Sequence, residues 1–309
     1  MPRSVTRWTR HCFSTGVRAT RHHDPITIAV VAALVFGSLF LYGQIVLQLA
    51  SDWQHDDNYS HGFLIIPAAL WMVWRDRAAL AALPHRPAAP GLLIVVGSLL
   101  VMFVGTLGAE LFLTRISMLG VIGGAIIFLL GLPHFRRLLF PLGALLLMIP
   151  LPSIVFNQIA FPLQILASQL GVAALRVGHI PVLREGNVIV LASTTLEVAE
   201  ACSGIRSLIS LLTLGVLYGY VLGYRPARRT LLALATIPIA ILSNAFRVAG
   251  AGLTADLFGP SALEGFLHSF SGWLTFVSSL ALLLGVDRLC TTIVRLSHRQ
   301  VIHPELVGS

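Results

Sequence analysis

The chain has 309 residues, of which 56% are hydrophobic and only 11% are charged, and its mean hydropathy is +0.85. Since a soluble domain carries about 25% charged residues, this composition excludes an ordinary water-soluble protein. The formal net charge is +8, and all 21 basic residues are arginines, which excludes lysine-based catalysis. The arginines cluster in short segments between apolar runs, a pattern that sets membrane orientation and argues against a nucleic-acid partner.

The predicted elements begin with a basic arm over residues 1–25, followed by a first membrane span over residues 26–49. This apolar run is longer than the core of a cleavable signal peptide and has no small-residue cleavage site, so we expect it to be retained. The next loop carries Asp52, Asp56 and Asp57 but no arginine. Because cytoplasmic loops are enriched in arginine, this pattern places the loop outside and the arm in the cytoplasm.

Seven further apolar runs predict additional membrane spans. They cover residues 61–74, 91–108, 116–132, 138–150, 205–222, 230–249 and 269–286. Arginine-rich segments follow the second, fourth, sixth and eighth predicted spans, which assigns the tail over residues 287–309 to the cytoplasm as well. The sequence therefore predicts an all-α, polytopic membrane bundle of about eight helices, in a single domain over residues 26–286.

The fairly apolar segment over residues 153–177 is predicted to lie in the membrane interface rather than to cross the membrane. The fifth span brings the chain outside near Pro150, and the sixth must start outside because arginines follow it. A further crossing would break this alternation. The segment also contains Gln158, Pro162 and Gln164, which suit an interfacial amphipathic helix.

A small extracytoplasmic hairpin is predicted within residues 180–202, the most polar stretch between the spans. Two short runs rich in β-branched residues, 187–191 and 195–199, flank Ala192-Ser193-Thr194. Such runs, separated by small polar residues, are typical of paired strands.

Cys202 is the only cysteine expected outside, since the other two fall in the arm and in the tail. An unpaired external thiol is a passive small hydrophobe, an intermolecular bridge or a reactive nucleophile. Ser203 and Gly204 should mark the start of the sixth span, which places the thiol near a helix N-terminus. The unpaired backbone N–H groups there, together with Arg206 one turn later, would favour the thiolate form.

Two further polar residues fall in the same predicted layer as Cys202. Arg247 lies near the outer end of the seventh span, with Asn244 on the same helix face, and His268 begins the eighth. An arginine within a span costs ~2.5–3.5 kcal/mol at the helix centre, so Arg247 is either functional or snorkels to the outer headgroups. The histidine is either a boundary residue or a catalyst. As a catalyst it could carry the thiol proton to a leaving amine, while the arginine stabilises an oxyanion.

The candidate residues occur in short motifs that follow one another in a characteristic order along the chain. Ala201-Cys202-Ser203-Gly204-Ile205-Arg206 is followed by Asn244-x-x-Arg247 and then by His268 ahead of the last span. Together with Tyr59-Ser60-His61-Gly62 and the Pro150-Leu151-Pro152 segment, this order resembles the exosortase/archaeosortase family. The resemblance extends over about residues 56–286.

The resemblance implies a membrane cysteine protease or transpeptidase with Cys202 as nucleophile and Arg247 and His268 as its partners. Substrates would be exported proteins that end in a Pro-Glu-Pro-type motif, a membrane helix and a basic tail. Cleavage would occur at the periplasmic face of the bacterial inner membrane through a thioester, which an amine acceptor or water resolves. Some relatives carry an extra soluble domain, so any accessory protein would here be a separate chain.

Supporting candidates for substrate binding or positioning are Arg206, Asn244, Glu197, Glu200, Ser203, Gly204 and His61. The charged residues among them equally fit a solvated hairpin edge and a helix start. The sequence lacks metal-ligand spacings such as His-Glu-x-x-His, so we expect no metal or cofactor. The expected partners are the exported substrate proteins, membrane lipid and a separate accessory protein, but not nucleic acid. A non-enzyme alternative is a transporter or polysaccharide-export component that binds an anion through Asn244 and Arg247.

Overall fold

The computed structural model describes residues 25–192, 194–198, 204–259 and 266–302, which form ten α-helices, one 3₁₀ helix and three strands. The helices are α1 Pro25–His55, α2 Gly62–Arg75, α3 Arg77–Ala81, α4 Pro90–Leu107, α5 Leu111–Leu129, α6 Leu132–Ala144, the 3₁₀ helix Leu145–Met148, α7 Ser153–Val177, α8 Ile205–Val221, α9 Pro226–Phe258 and α10 Phe266–Ile302. The strands are β1 Val182–Glu185, β2 Val188–Leu191 and β3 Thr195–Glu197.

The helical architecture confirms the all-α membrane class predicted from the composition. Among the described residues, five helices are long and apolar enough to cross a membrane: α4, α5, α7, α9 and residues 270–293 of α10. Helices α2 and α8 are also apolar but have only 14 and 17 residues. Length and composition thus support a multi-pass protein, and the total of eight crossings stays a prediction.

Helix α7 has the bounds predicted for the interfacial segment, Ser153–Val177. Its 25 residues and its apolar composition also place it among the five helices that could span a membrane. Its position in the interface therefore stays a prediction.

Three helical segments differ from the predicted spans. Helices α9 and α10 have 33 and 37 residues, or about 50 and 55 Å at 1.5 Å per residue. The hydrocarbon core of a bilayer is only ~30 Å thick, so helices of this length reach beyond it, where no apolar run marks their ends. The fifth predicted span, residues 138–150, is divided, since α6 ends at Ala144 and a 3₁₀ helix follows.

The chain divides into two compact units, residues 1–43 and 44–309. In the second unit, β1, β2 and β3 form an antiparallel sheet in that order. The predicted hairpin is confirmed by β2 and β3, which pair with Val190 opposite Thr195. Strand β1 is an addition that the sequence analysis missed. It pairs with β2 across a two-residue turn that Gly186 opens with φ of +64°, a conformation glycine adopts without strain.

The sheet covers the C-terminal halves of α7 and α9. Ile189 of β2 is fully buried and packs in one core cluster with Leu175 and Val248. The two helices approach closely at a glycine, because a Cβ built on Gly171 would lie 2.6 Å from Val248 Cγ1. This packing sets the position of the stretch of α9 that carries Arg247.

Candidate active site

The predicted catalytic residues are described to different extents. Cys202, Ser203 and Glu200 lie outside the described residues. His268 is placed in the first turn of α10. Arg247 is described with its side chain, near the middle of the C-terminal half of α9.

The N-terminus of α8 is fixed by a close contact with α9. Gly204 precedes the helix, is buried and has φ of +82°, a left-handed conformation that other residues rarely adopt. A Cβ at this position would lie 2.9 Å from both Cβ and Cγ of Asn244, which is only 1% exposed. Glycine is therefore required by the backbone and by the neighbouring side chain. The predicted start of this helix after Gly204 is confirmed.

Arg247 reaches across to α10. Its Nε donates a hydrogen bond to Ser271 Oγ at 3.4 Å, and a Cβ built on Gly272 would lie 3.6 Å from its Nη2. The guanidinium thus packs against the helix that carries His268, one turn before Ser271. This placement favours a site residue over an arginine that snorkels to the headgroups.

A cavity of about 780 Å³ lies beside Arg247, between β3, α9 and α10. Among the described residues, Arg247 and Glu197 are the charged ones in its lining. Five hydroxyl groups also line it, those of Ser243, Thr254, Ser271, Thr275 and Ser278. Most of the remaining lining is apolar, as at Phe246. A concave, mainly apolar space with a few polar groups is the usual form of a ligand site.

Arg206 pairs with a residue that the sequence analysis did not connect to it. Its Nη1 lies 3.0 Å from Asp57 Oδ2, and neither residue is among the described lining of the cavity. Asp57 is 71% exposed and Arg206 is 41% exposed, so the pair contributes at most about 1 kcal/mol. The Asp57 carboxylate partly neutralises the positive charge of Arg206, which we expected to favour the thiolate form of Cys202.

The loop that carries Asp57 is anchored on the 3₁₀ helix and the segment after it. Trp53 Nε1 donates to the carbonyl oxygen of Met148 at 2.8 Å. Tyr59 Oη accepts a hydrogen bond from the backbone N–H of Leu151 at 3.0 Å. These contacts hold both ends of the loop and thereby position the partner of Arg206.

His61 lies in the same region rather than at the cavity. Its Nε2 donates to the carbonyl oxygen of Leu147 at 3.2 Å, and the residue is not among the described lining of the cavity. The structure thus gives His61 a role in holding α2 against the 3₁₀ helix. A nearby ion pair could not be predicted from the sequence: Arg115 Nη2 lies 2.5 Å from Asp52 Oδ2, and the Arg115 side chain is only 2% exposed.

A family model described as transmembrane exosortase matches residues 53–285, three quarters of the chain, and this stretch includes Cys202, Arg247 and His268. The chain belongs to the transmembrane exosortase family. Neither curated proteins nor solved structures yield a match. Family membership confirms the resemblance carried by the motifs and supports a multi-pass membrane protein with a protein-sorting, transpeptidase-type role.

Membership in the exosortase family also implies that the substrates are exported proteins with sorting signals. The described part of the site offers a guanidinium, a carboxylate and five hydroxyl groups around a mainly apolar cavity. Such groups can hold a peptide segment and stabilise a developing negative charge. Among the described residues, no group of three or more His, Cys, Asp or Glu lies together as a possible metal site.

Proposed function

We propose that the protein is a membrane cysteine protease or transpeptidase that removes C-terminal sorting signals from exported proteins. Cys202 is the nucleophile, His268 is the acid–base catalyst and Arg247 stabilises the oxyanion. The site faces the periplasm, because the arginine distribution assigns the start of α8, the end of α9 and the start of α10 to the outer side of the inner membrane.

The observation that carries the proposal is the placement of Arg247. Its guanidinium lines the cavity and donates a hydrogen bond to Ser271 of α10, which lies one turn after His268. In this largely apolar space a positive charge acts more strongly than it would in water. Fixed donors of this kind typically contribute about 10²–10³ in kcat where an oxyanion develops.

The chain ties Cys202 closely to Gly204. Only one residue separates the two, so the chain itself limits the distance between their Cα atoms to about 7 Å. Gly204 contacts Asn244, which precedes Arg247 by three residues on one face of α9. The arrangement of these elements therefore supports one site with a thiol, a guanidinium and an imidazole.

The proposed chemistry is acyl transfer. His268 takes the proton of Cys202, and the thiolate attacks the carbonyl carbon of the scissile peptide bond. Arg247 balances the negative charge on the carbonyl oxygen of the tetrahedral intermediate. The C–N bond then breaks, and His268 returns the proton to the leaving amine. The remaining thioester passes to an amine acceptor or to water.

The cavity suits a sorting signal of the proposed kind. Its mainly apolar walls fit a segment that leads into a membrane helix, and Glu197 offers an exposed carboxylate on β3. We assign Glu197 and Glu200 to substrate positioning. Arg206 pairs with Asp57 beside the start of α8, away from the described lining of the cavity.

Co-expression with an exported reporter tests the proposal. The reporter ends in a Pro-Glu-Pro-type motif, an apolar helix and a basic tail, and its length is followed by immunoblot. The wild-type protein should shorten the reporter, and Cys202→Ala should leave it intact. Cys290→Ala is the matched control, since this cysteine lies far along α10, and it should process normally.

Two outcomes would contradict the proposal. Normal processing by Cys202→Ala would exclude the thiol mechanism. If the cells tolerate Cys202→Ala but lose function with Arg247→Ala, an anion-binding transport or export role would be favoured instead.

A further inference from the structure

A second cavity lies near the C-terminal end of α8 and the N-terminal end of α9, away from the candidate active site. Its volume is about 740 Å³, and its charged lining residues are Arg75, Arg136, Arg137, Arg229 and Asp76. Four arginines against one aspartate give the described lining of this cavity a formal charge of +3. The lining comes from the ends of α2 and α8, from α6 and the 3₁₀ helix that follows it, and from the start of α9.

Helix geometry separates the two cavities. Arg229 and Arg247 are 18 residues apart on α9, or about 27 Å at 1.5 Å per residue. The described linings of the two cavities have no residue in common. The arginine-rich end is the one that the positive-inside pattern assigns to the cytoplasm.

Two of the four arginines are held against an aromatic wall. Tyr220 stacks on Phe140, with ring centroids 3.7 Å apart. The guanidinium carbons of Arg75 and Arg229 lie 5.5 and 5.0 Å from the centroid of the Tyr220 ring. Arg75 Nη1 also donates to the carbonyl oxygen of Val221 at 2.9 Å. These contacts fix both positive charges at the wall.

The other two arginines are more open. Arg137 is 49% exposed, and its Nε lies 2.9 Å from Asp76 Oδ2. Asp76 is shared, because its Oδ1 lies 3.9 Å from Arg75 Nε. Arg136 is exposed, and within the described part of the chain its side chain has no hydrogen bond or ion pair. The single carboxylate therefore leaves most of the positive charge uncompensated.

We propose that this cavity binds the phosphate headgroup of an anionic phospholipid from the cytoplasmic leaflet. Guanidinium groups present planar sets of donors that match phosphate oxygens. Leu139, Phe140 and Val216 add apolar surface beside the arginines, which suits the start of acyl chains rather than a free ion. Basic pockets between helices on this side of a membrane bind anionic headgroups. The positive charge also repels the basic tail of a sorting signal.

Native mass spectrometry of the full-length protein in neutral detergent tests the proposal. Phosphatidylglycerol is compared with phosphatidylcholine, which has no net charge, and with glycerol 3-phosphate, which has no acyl chains. Tight binding is expected for phosphatidylglycerol alone. Equal binding of phosphatidylcholine would overturn recognition of the charge. Equal binding of glycerol 3-phosphate would overturn the assignment to a lipid.

Charge variants locate the bound lipid. Arg136→Gln should weaken phosphatidylglycerol binding about fivefold, the effect of one arginine beside an anionic headgroup. Arg225→Gln is the matched control, because Arg225 is exposed before α9 but does not line the described cavity. Equal loss of affinity in the two variants would contradict the proposal.

A variant that changes the affinity in the opposite direction separates binding from damage to the fold. Asp76→Asn removes the carboxylate of the described lining, so phosphatidylglycerol should bind more tightly. A protein that is only destabilised would not gain affinity. Unchanged or weaker binding by Asp76→Asn would overturn the proposed charge recognition.

Discussion

Arg247 donates a hydrogen bond to Ser271 and lines the cavity. The planar set of donors of its guanidinium should therefore matter for catalysis as well as its charge. A lysine keeps the charge but not this geometry. We expect Arg247→Lys to slow reporter processing by about 10²-fold, the usual effect of losing an oxyanion donor. A time course of processing checks this, with Arg206→Lys as the control because its exposed ion pair contributes little. A near-normal rate for Arg247→Lys would argue against the oxyanion role.

Gly204 and Gly223 form a matched pair for testing the contact between α8 and α9. Both have positive φ, +82° and +67°, so alanine at either position costs roughly 1–2 kcal/mol in backbone strain. Only at Gly204 does a Cβ also meet Asn244, whereas nothing lies within 4 Å at Gly223. We therefore expect Gly204→Ala to abolish processing and to lower the thermal stability in detergent more than Gly223→Ala does. Similar behaviour of the two variants would show that the contact is unimportant.

At this scale the sequence predicted some site residues and missed others. Gly204, Asn244 and Arg247 could be predicted because a glycine and two polar residues are conspicuous in apolar helices. Ser271 and Asp57 could not be predicted as partners of arginines. Hydrogen-bond partners depend on how the helices are rotated against each other, and a hydrophobic run does not specify that rotation.

Among the elements, α7 and α9 form the packed support of the site. Because a Cβ at Gly171 would meet the stiff side chain of Val248, we expect Gly171→Ala to destabilise the protein by about 1–3 kcal/mol. Because Val248 has little rotational freedom, the new methyl group should displace the backbone beside Arg247. Reporter processing should therefore fall as well. Thermal unfolding and reporter processing in the same variants check both effects.

A second substitution makes this prediction specific. Adding Val248→Ala to Gly171→Ala makes room for the new methyl group and should restore much of the lost stability. Gly285→Ala on α10 is the control, because nothing lies within 4 Å of a Cβ there. Alanine also has the higher helix propensity, so this control should be neutral or stabilising. No recovery in the double variant would contradict the packing described for the two helices.

The apolar pattern predicted where most helices lie, but not all of their ends. The predicted span over residues 91–108 corresponds to α4, Pro90–Leu107, because the helix is bounded by polar or small residues on both sides. The C-terminal part of α10 continues past the apolar run, so the hydrophobicity pattern does not mark the residue at which this helix ends. Strand β1 is four residues long and includes Arg184 and Glu185, and its short, partly charged pattern concealed it.

For the whole molecule, orientation in the membrane is the property that the arginine distribution predicts most strongly. A small, membrane-impermeant thiol reagent added to intact spheroplasts should modify Cys202 alone. After permeabilisation, Cys12 and Cys290 should react as well. If Cys202 is labelled only after permeabilisation, α7 crosses the membrane and the site faces the cytoplasm. External labelling that requires alkaline pH would leave the orientation intact but contradict an activated thiolate.

The central claim is that Cys202 carries the substrate as a thioester, and intact mass analysis tests it most directly. The purified protein is mixed with a peptide bearing the sorting signal, the reaction is stopped with acid, and the adduct is mapped. We predict an adduct on Cys202 with the mass of the substrate up to the scissile bond. Neutral hydroxylamine should remove it, and it should be absent from Cys202→Ala but present in Cys290→Ala. An adduct on another residue, or cleavage of the peptide by Cys202→Ala, would contradict the account.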